Sequence, residues 1–127
     1  QLNYLKENIS IREKNYLRLE LEVKNNPDLV DMNHSQISLL SSFAFPVVCK
    51  STDLKDRYLN QFSGAGIEVR PMIAGNMQNQ PFYAKYVDEN YDLPGVDELH
   101  ENSFYCGNYP ELTKSDLQII SSSLSKY

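Results

Sequence analysis

The sequence has no tryptophan, and its 127 residues include only two cysteines, two histidines and five glycines. Cys49 and Cys106 cannot form a disulfide framework, so we expect the reduced thiols that are usual in a cytoplasmic protein. No apolar run approaches the ~20 residues that a membrane-spanning helix needs, so no membrane partner is expected. The net charge is −5 and no lysine or arginine cluster is present. Binding to a phosphate backbone needs concentrated cations, so we expect no nucleic-acid partner.

Residues for self-contained catalysis are also scarce. Neither His34 nor His100 has cysteines or carboxylates at the spacing of zinc ligands, so the sequence predicts no metal site. A nucleophile pair of Cys106 and His100 needs the fold to bring them together, and a buried strand cysteine is the commoner outcome. Gly64 and Gly66 lack the third glycine of a dinucleotide-binding loop and follow a helix instead of a strand. We therefore predict no catalytic residue in this chain.

The composition is that of an ordinary globular domain, with 41% hydrophobic and 23% charged residues. The length is typical of one domain. Apolar residues three and four apart predict a helix over 2–24, which ends before Pro27. Ile11, Leu17 and Leu21 lie off its main apolar stripe. This helix either packs only within its own domain or also touches another domain or subunit.

The rest of the chain alternates between short strands and helices. Strands are predicted at 43–49, 67–73 and 104–106, and helices at 54–63, near 81–86, at 95–102 and from 113 to about 125. Thr113 and Asp116 have the spacing of a capping box at the start of the last helix. The predicted fold is α+β, with a small antiparallel or mixed three-stranded sheet and helices packed on one face. Its predicted core contains Phe43, Phe45, Val47, Ile67, Val69, Leu117 and Ile120.

The segment 64–82 carries the best candidate for a binding site. Arg70 lies on a strand that otherwise looks half-buried, and Pro71 interrupts the hydrogen bonding directly after it. The loop that follows is rich in amides, including Asn76 and Gln80. An arginine beside several amides suits a polar, hydroxylated or anionic ligand, because the guanidinium donates and amides both donate and accept. The alternative is a surface arginine beside a soluble loop.

The same segment resembles a known family. Gly66-Ile67-Glu68-Val69-Arg70-Pro71, followed by Ala74-Gly75-Asn76 and Gln80-Pro81, is similar to the C-terminal region of the DegT/DnrJ/EryC1/StrS enzymes. These are fold-type-I, pyridoxal-phosphate-dependent (PLP-dependent) sugar aminotransferases and related dehydrases. The opening helix resembles the family's helix between its large and small domains, and 99–116 resembles its closing strand and capped helix. The ordered set of similarities extends over nearly all of the chain.

The resemblance implies one C-terminal small domain over 1–127, with 1–26 as a long linking helix and 27–127 as an α+β sandwich. The large domain, which carries the Schiff-base lysine in the family, is absent. The chain also opens with Gln1 inside a helical pattern, which we interpret as a piece of a longer parent. The piece alone is expected to be inactive and to bind no cofactor. The parent is expected to bind PLP, to form a homodimer and to be cytoplasmic.

For the parent, the resemblance implies transfer of an amino group from glutamate to a keto-sugar nucleotide in polysaccharide or lipopolysaccharide sugar biosynthesis. A PLP-dependent sugar dehydrase of the same family is the first alternative. A stand-alone, non-catalytic binding domain is the second. Arg70 is the first candidate for a substrate contact, with Asn76 and Gln80 as loop contacts.

Overall fold

A computed structural model describes residues 2–73 and 75–126, in which three strands form a single antiparallel sheet. The strand order is β1-β3-β2, so the last strand in the chain lies between the other two. This confirms the predicted α+β class and makes the sheet antiparallel rather than mixed. The elements are α1 (Leu5–Asn25), β1 (Ala44–Val48), α2 (Thr52–Gly64), β2 (Val69–Pro71), α3 (Tyr83–Tyr86), α4 (Pro94–Asn102), β3 (Ser103–Gly107) and α5 (Lys114–Ser123).

The opening helix α1 packs one stripe on the domain and leaves much of its surface open. Tyr16, Leu19 and Val23 are buried in the core, as the apolar spacing predicted. Leu17 and Leu21, which lie off that stripe, are exposed. The helix begins slightly later than predicted, after a 3₁₀ turn at Leu2–Tyr4. None of the helices in the described ranges is long and apolar enough to cross a membrane.

Asn26, directly after α1, connects three helices. Its side-chain amide donates to the Tyr58 hydroxyl at 2.6 Å and to the Leu124 carbonyl at 2.6 Å. Its side-chain oxygen accepts from the backbone N–H of Asp28 at 2.9 Å. The residue is buried, so these bonds lie inside the domain. The end of α1 is thereby fixed to α2 and to the end of α5.

The sheet has a core face and an outer face. Phe45 pairs in register with Cys106, and Val47 pairs with Phe104, so all four side chains share the face that α1, α2 and α5 cover. Phe43 was expected in this core, but 59% of it is exposed. The period-two pattern fails there because β1 begins only at Ala44, so Phe43 precedes the pleated strand.

The second strand is shorter than the predicted range 67–73. Only Val69–Pro71 pairs with β3. Ile67 instead closes the turn after α2, since its N–H donates to the Phe62 carbonyl at 2.9 Å. Pro71 has no N–H to continue the ladder. Ile67 and Val69 are partly buried and pack against the core, whereas Ile73 is exposed.

The closing helix α5 begins at the predicted capping box. Thr113 Oγ1 accepts from the Asp116 N–H at 3.2 Å, and the Thr113 N–H donates to Asp116 Oδ2 at 2.8 Å. Two N–H groups that the first turn leaves without helical partners are satisfied in this way. Leu117, Ile120 and Leu124 then extend into the core.

Candidate functional site

A groove with a volume of about 460 Å³ opens at one end of the sheet, where β3 ends and β1 begins. Its lining comes from the turn between α2 and β2, from α5 and the segment before it, and from residues on and beside β2 and β3. The volume is within the usual range for small-molecule sites. The groove is lined by Phe43, Ala65, Gly66, Ile67, Glu68, Arg70, Tyr105, Gly107, Tyr109, Leu112, Asp116, Ile119 and Ile120.

Arg70 is the one predicted site residue that lines this groove. It pairs in register with Tyr105, so it lies on the outer face of the sheet, opposite to Val69. Its Nη2 and Nε both donate to Glu68 Oε1, at 2.7 Å and 3.0 Å, and both side chains are exposed. The bonds to this carboxylate raise the pKa of the guanidinium. Arg70 thus has a carboxylate partner at the rim of the groove, and its contact with a substrate stays a prediction.

Aromatic side chains that sequence reasoning did not assign to a site form part of the groove. The rings of Phe43 and Tyr105 meet edge to face, with centroids 6.4 Å apart. The Tyr109 ring lies against Gly107, where a Cβ atom would come within 2.9 Å of it. The position of Tyr105 between buried Phe104 and Cys106 was the available signal, because alternation places it on the outer face.

Asn76 lies elsewhere, in the loop after β2, and is not part of the groove lining. Only 4% of it is exposed. Its amide donates to Asp97 Oδ1 at 2.6 Å, and its side-chain oxygen accepts from the Gln78 N–H at 3.0 Å. Its own backbone N–H donates to Nδ1 of His100 at 3.1 Å. The side chain is therefore directed at α4 and at its own loop.

Gln80 follows the 3₁₀ turn Met77–Asn79 in the same loop. Its N–H donates to the Met77 carbonyl at 3.1 Å, and its carbonyl accepts from the Tyr83 N–H at 2.9 Å. The residue is partly buried and does not line the groove. The structure therefore places the three predicted substrate contacts in two regions, with Arg70 in the groove and Asn76 and Gln80 in the loop.

The cysteines and histidines have roles other than the candidate chemistry. Burial raises the pKa of the Cys106 thiol to about 12, so the thiolate needed for nucleophilic attack is scarce near neutral pH. His100 contacts the backbone of Asn76, while His34 bonds to Glu20. Across residues 2–73 and 75–126, no group of three or more histidine, cysteine or acidic residues is arranged to hold a metal ion.

The residues of this chain do not fit the role of holding PLP through a Schiff base. Such a lysine has to be desolvated and positioned in a pocket. The groove lining contains no lysine. Every lysine of the chain is exposed except Lys55, which is partly buried and donates to the Glu101 carbonyl. The groove therefore offers no side chain that could bind this cofactor covalently.

Comparison with known proteins agrees with the family resemblance seen in the sequence. The profile of the DegT/DnrJ/EryC1/StrS aminotransferase family matches residues 1–125. The GDP-4-keto-6-deoxy-D-mannose 3-dehydratase of Escherichia coli O55:H7 is 27% identical over 111 residues, which are 86% of this chain and 29% of that protein. The lipopolysaccharide biosynthesis protein RfbH of Salmonella typhimurium is 26% identical over 132 residues, which cover 100% of this chain and 30% of that protein.

The fold is shared with a solved enzyme. The crystal structure of a GDP-4-keto-6-deoxymannose-3-dehydratase with a trapped PLP–glutamate geminal diamine superposes with a TM-score of 0.82 at 25% sequence identity. The match covers 98% of this chain and 33% of that one. The chain therefore spans about a third of the length of these proteins.

Proposed function

Because the chain belongs to the DegT/DnrJ/EryC1/StrS aminotransferase family, we propose that it is the C-terminal small domain of a PLP-dependent enzyme acting on a nucleotide-linked keto sugar. In this proposal 1–26 is the helix that links the two domains, and 27–127 is the small domain itself. The observation that carries it is the match of nearly the whole chain to a third of a 3-dehydratase, at a TM-score of 0.82. The parent's other two-thirds would contain the large, cofactor-binding domain.

Dehydration of the sugar is the reaction we propose first. The support is the 27% identity to a GDP-4-keto-6-deoxy-D-mannose 3-dehydratase over 86% of this chain. Amino transfer from glutamate, which the sequence resemblance implied first, is the second candidate, because the family as a whole is described as aminotransferases. Both reactions fit a role in polysaccharide sugar biosynthesis, which the similarity to a lipopolysaccharide biosynthesis protein supports.

The contribution of this chain would be to close one side of the sugar site. We propose that Arg70 contacts an anionic or hydroxyl group of the substrate, and that the loop carrying Asn76 and Gln80 forms a second contact region. PLP, when bound by the parent, supplies the electron-withdrawing chemistry. Exposed Leu17 and Leu21 on α1 would pack against the rest of the parent, since exposed apolar patches of this kind mark interaction surfaces. A homodimeric, cytoplasmic parent stays a prediction.

Product analysis on the full-length parent tests the reaction. The parent is incubated with PLP, glutamate and GDP-4-keto-6-deoxymannose, and the sugar nucleotide is analysed by mass spectrometry. Dehydration yields a product with one oxygen fewer, whereas amino transfer replaces the keto oxygen with an amino group. No conversion of this sugar or of related keto-sugar nucleotides would contradict the proposal.

Substitution of Arg70 tests its place in the site. Loss of a charge-assisted contact to substrate in Arg70→Ala is expected to lower kcat/KM of the parent roughly ten- to hundredfold. Arg57→Ala is the matched control, because Arg57 is an exposed arginine on α2 outside the groove. Equal kcat/KM values for the two variants would remove Arg70 from the site.

The cofactor assignment is tested on the 127-residue chain itself. We expect no specific PLP binding, because no lysine is held in a pocket. The chain is titrated with PLP, the absorbance band of the aldimine is followed, and any adduct is trapped with borohydride and mapped. Stoichiometric labelling of a single lysine would show that the chain holds the cofactor after all.

A further inference from the structure

The loop between β2 and α4 differs from the rest of the domain in the kind of contact that fixes its conformation. Its larger apolar side chains stay in solvent, among them Met77, Phe82, Tyr86 and Tyr91. Apolar burial therefore contributes little to its conformation. What fixes the loop is a set of polar contacts made by two amide side chains and two residues of α4.

Asn76 is the centre of that set. It is buried, and it bonds to α4 twice, through its side chain to Asp97 at 2.6 Å and through its backbone N–H to His100 at 3.1 Å. Its side-chain oxygen also accepts from Gln78 N–H at 3.0 Å, which starts the 3₁₀ turn. The side-chain amide of Asn76 and its backbone N–H thus both form hydrogen bonds within the protein.

Gly75 shows how closely the loop approaches α4. Its φ of +53° lies in the left-handed region, which glycine adopts without steric cost. A Cβ atom at this position would lie 1.8 Å from Nδ1 of His100. The imidazole therefore occupies the space of a side chain at Gly75. Since the backbone N–H of Asn76 is the donor in the next contact, Nδ1 of His100 acts as its acceptor.

Gln78 secures the far side of the loop. Its side-chain nitrogen donates to the Tyr91 carbonyl at 2.9 Å, and its side-chain oxygen accepts from the Tyr91 N–H at 2.5 Å. One amide side chain thereby satisfies both backbone groups of a residue just before α4. The loop is consequently closed at two points, at α4 by Asn76 and at Tyr91 by Gln78.

We propose that Asp97 and His100 are positioning residues that hold residues 75–80, the Asn76 loop, in the shape that meets the sugar substrate. Asn76 then acts as the anchor of this loop and makes no substrate contact of its own, because its side chain is buried and bonded to Asp97 and Gln78. The substrate part of this inference rests on the proposed function. The anchoring part rests only on the contacts within this chain.

Five variants of the full-length parent, Asn76→Ala among them, separate these parts. His100→Leu removes the acceptor, while His100→Asn keeps one, because the Oδ1 of asparagine can take the place of Nδ1. Gly75→Ala introduces the clash with His100, and Gly95→Ala is its control, since a Cβ atom at Gly95 meets nothing within 4 Å. Each variant is measured by hydrogen exchange of peptides covering 75–91 and by steady-state kinetics.

In His100→Leu and Gly75→Ala, loss of the anchor is expected to speed hydrogen exchange of residues 75–80 roughly two- to tenfold. This range corresponds to the net free energy of one hydrogen bond. In the same two variants KM should rise while kcat changes little, because a misplaced binding loop loses uniform binding. His100→Asn should restore both quantities, and Gly95→Ala should match the unmodified parent. Asn76→Ala should show the same two effects, because it removes the side-chain bonds to Asp97 and Gln78.

The outcomes are distinguishable. Unchanged exchange in both His100→Leu and Gly75→Ala would overturn the anchor. Faster exchange with unchanged KM would overturn the positioning role. A rise in KM in Asn76→Ala without faster exchange of residues 75–80 would show that Asn76 contacts the substrate directly. If the unmodified parent converts no keto sugar, the proposed function fails, and hydrogen exchange alone then decides on the anchor.

Discussion

The helix–sheet body and the loop between β2 and α4 treat the same kind of side chain in opposite ways. In the body, Phe45, Phe62 and Phe104 are almost completely buried. In the loop, Phe82 is 49% exposed and Tyr91 is 58% exposed. The loop is instead shaped by the amide side chains of Asn76 and Gln78. The two regions therefore depend on different interactions, although β2 and α4 join them directly.

This difference sets where the molecule opens first. Burying a large apolar side chain stabilises a fold by about 1.5–3 kcal/mol, whereas a typical intramolecular hydrogen bond contributes a net of about 0.5–1.5 kcal/mol. A segment held by a few polar contacts on an exposed surface opens at lower free energy than the core. Such a segment suits a binding role, since it can adjust to a ligand while the body stays folded.

The largest expected effect contrasts one phenylalanine from each region. Phe104→Ala should destabilise the 127-residue chain by about 3–5 kcal/mol, because it leaves a cavity against Phe62 in the core. Phe82→Ala should change the free energy of unfolding by less than about 0.5 kcal/mol, as exposed substitutions usually do. Urea unfolding followed by circular dichroism measures both. Similar losses in the two variants would show that the loop has an apolar core of its own.

Much of the body was predictable because its helices and strands follow rules that involve only residues close together in sequence. The three- and four-residue spacing in α1 and the capping box at Thr113 each depend on residues near in sequence. Alternation also placed Arg70 opposite to Val69. Phe43 shows the limit of this rule, since the pattern continued one residue further than the strand did.

The contacts of the site were not predictable in the same way. Asn76 and Asp97 are far apart in sequence, and no periodicity indicates that an amide in a loop will bond to a particular carboxylate on α4. The choice of Asn76 and Gln80 relied on residue type and on the family resemblance, and an amide suits an anchor as well as a substrate contact. The groove joins the turn after α2 to α5, so it exists only once the sheet order is known.

The next largest effect compares one amide side chain from each region, Asn26 in the body and Gln78 in the loop. Asn26→Ala should cost the chain roughly 1–3 kcal/mol, because the Tyr58 hydroxyl and the Leu124 carbonyl lose a partner inside the body. Gln78→Ala should leave the global unfolding transition nearly unchanged, while exchange near Tyr91 becomes faster. Urea unfolding together with hydrogen exchange distinguishes the two responses. A global loss in Gln78→Ala equal to that in Asn26→Ala would remove the distinction between body and loop.

A smaller effect concerns the cap of α5, an exposed part of the body. Thr113→Ala should cost about 1 kcal/mol through loss of the capping box. Ser115→Ala, an exposed change in the same helical turn, is the control. The hydrogen bonds from the Thr113 side chain and backbone lower the pKa of Asp116. Their stabilisation is therefore complete above the ordinary pKa of aspartate and disappears as pH falls through the lowered value. The difference between Thr113→Ala and the unmodified chain should shrink in acid, and a constant difference would contradict this account.

The smallest expected effect is on the ion pair at the groove. Arg70 and Glu68 are both exposed, so water and salt screen their attraction and the pair contributes almost nothing to folding. Glu68→Gln should leave the urea midpoint of the chain unchanged. Glu20→Gln, in the body, should lower it, because Glu20 is buried and bonded to both Lys24 and His34. A fall in the midpoint of Glu68→Gln that disappears in high salt would show that the pair stabilises the turn before β2. An unchanged midpoint would mean that Arg70 can exchange Glu68 for another anionic partner at almost no cost in stability. A contact between Arg70 and an anionic substrate group requires such an exchange.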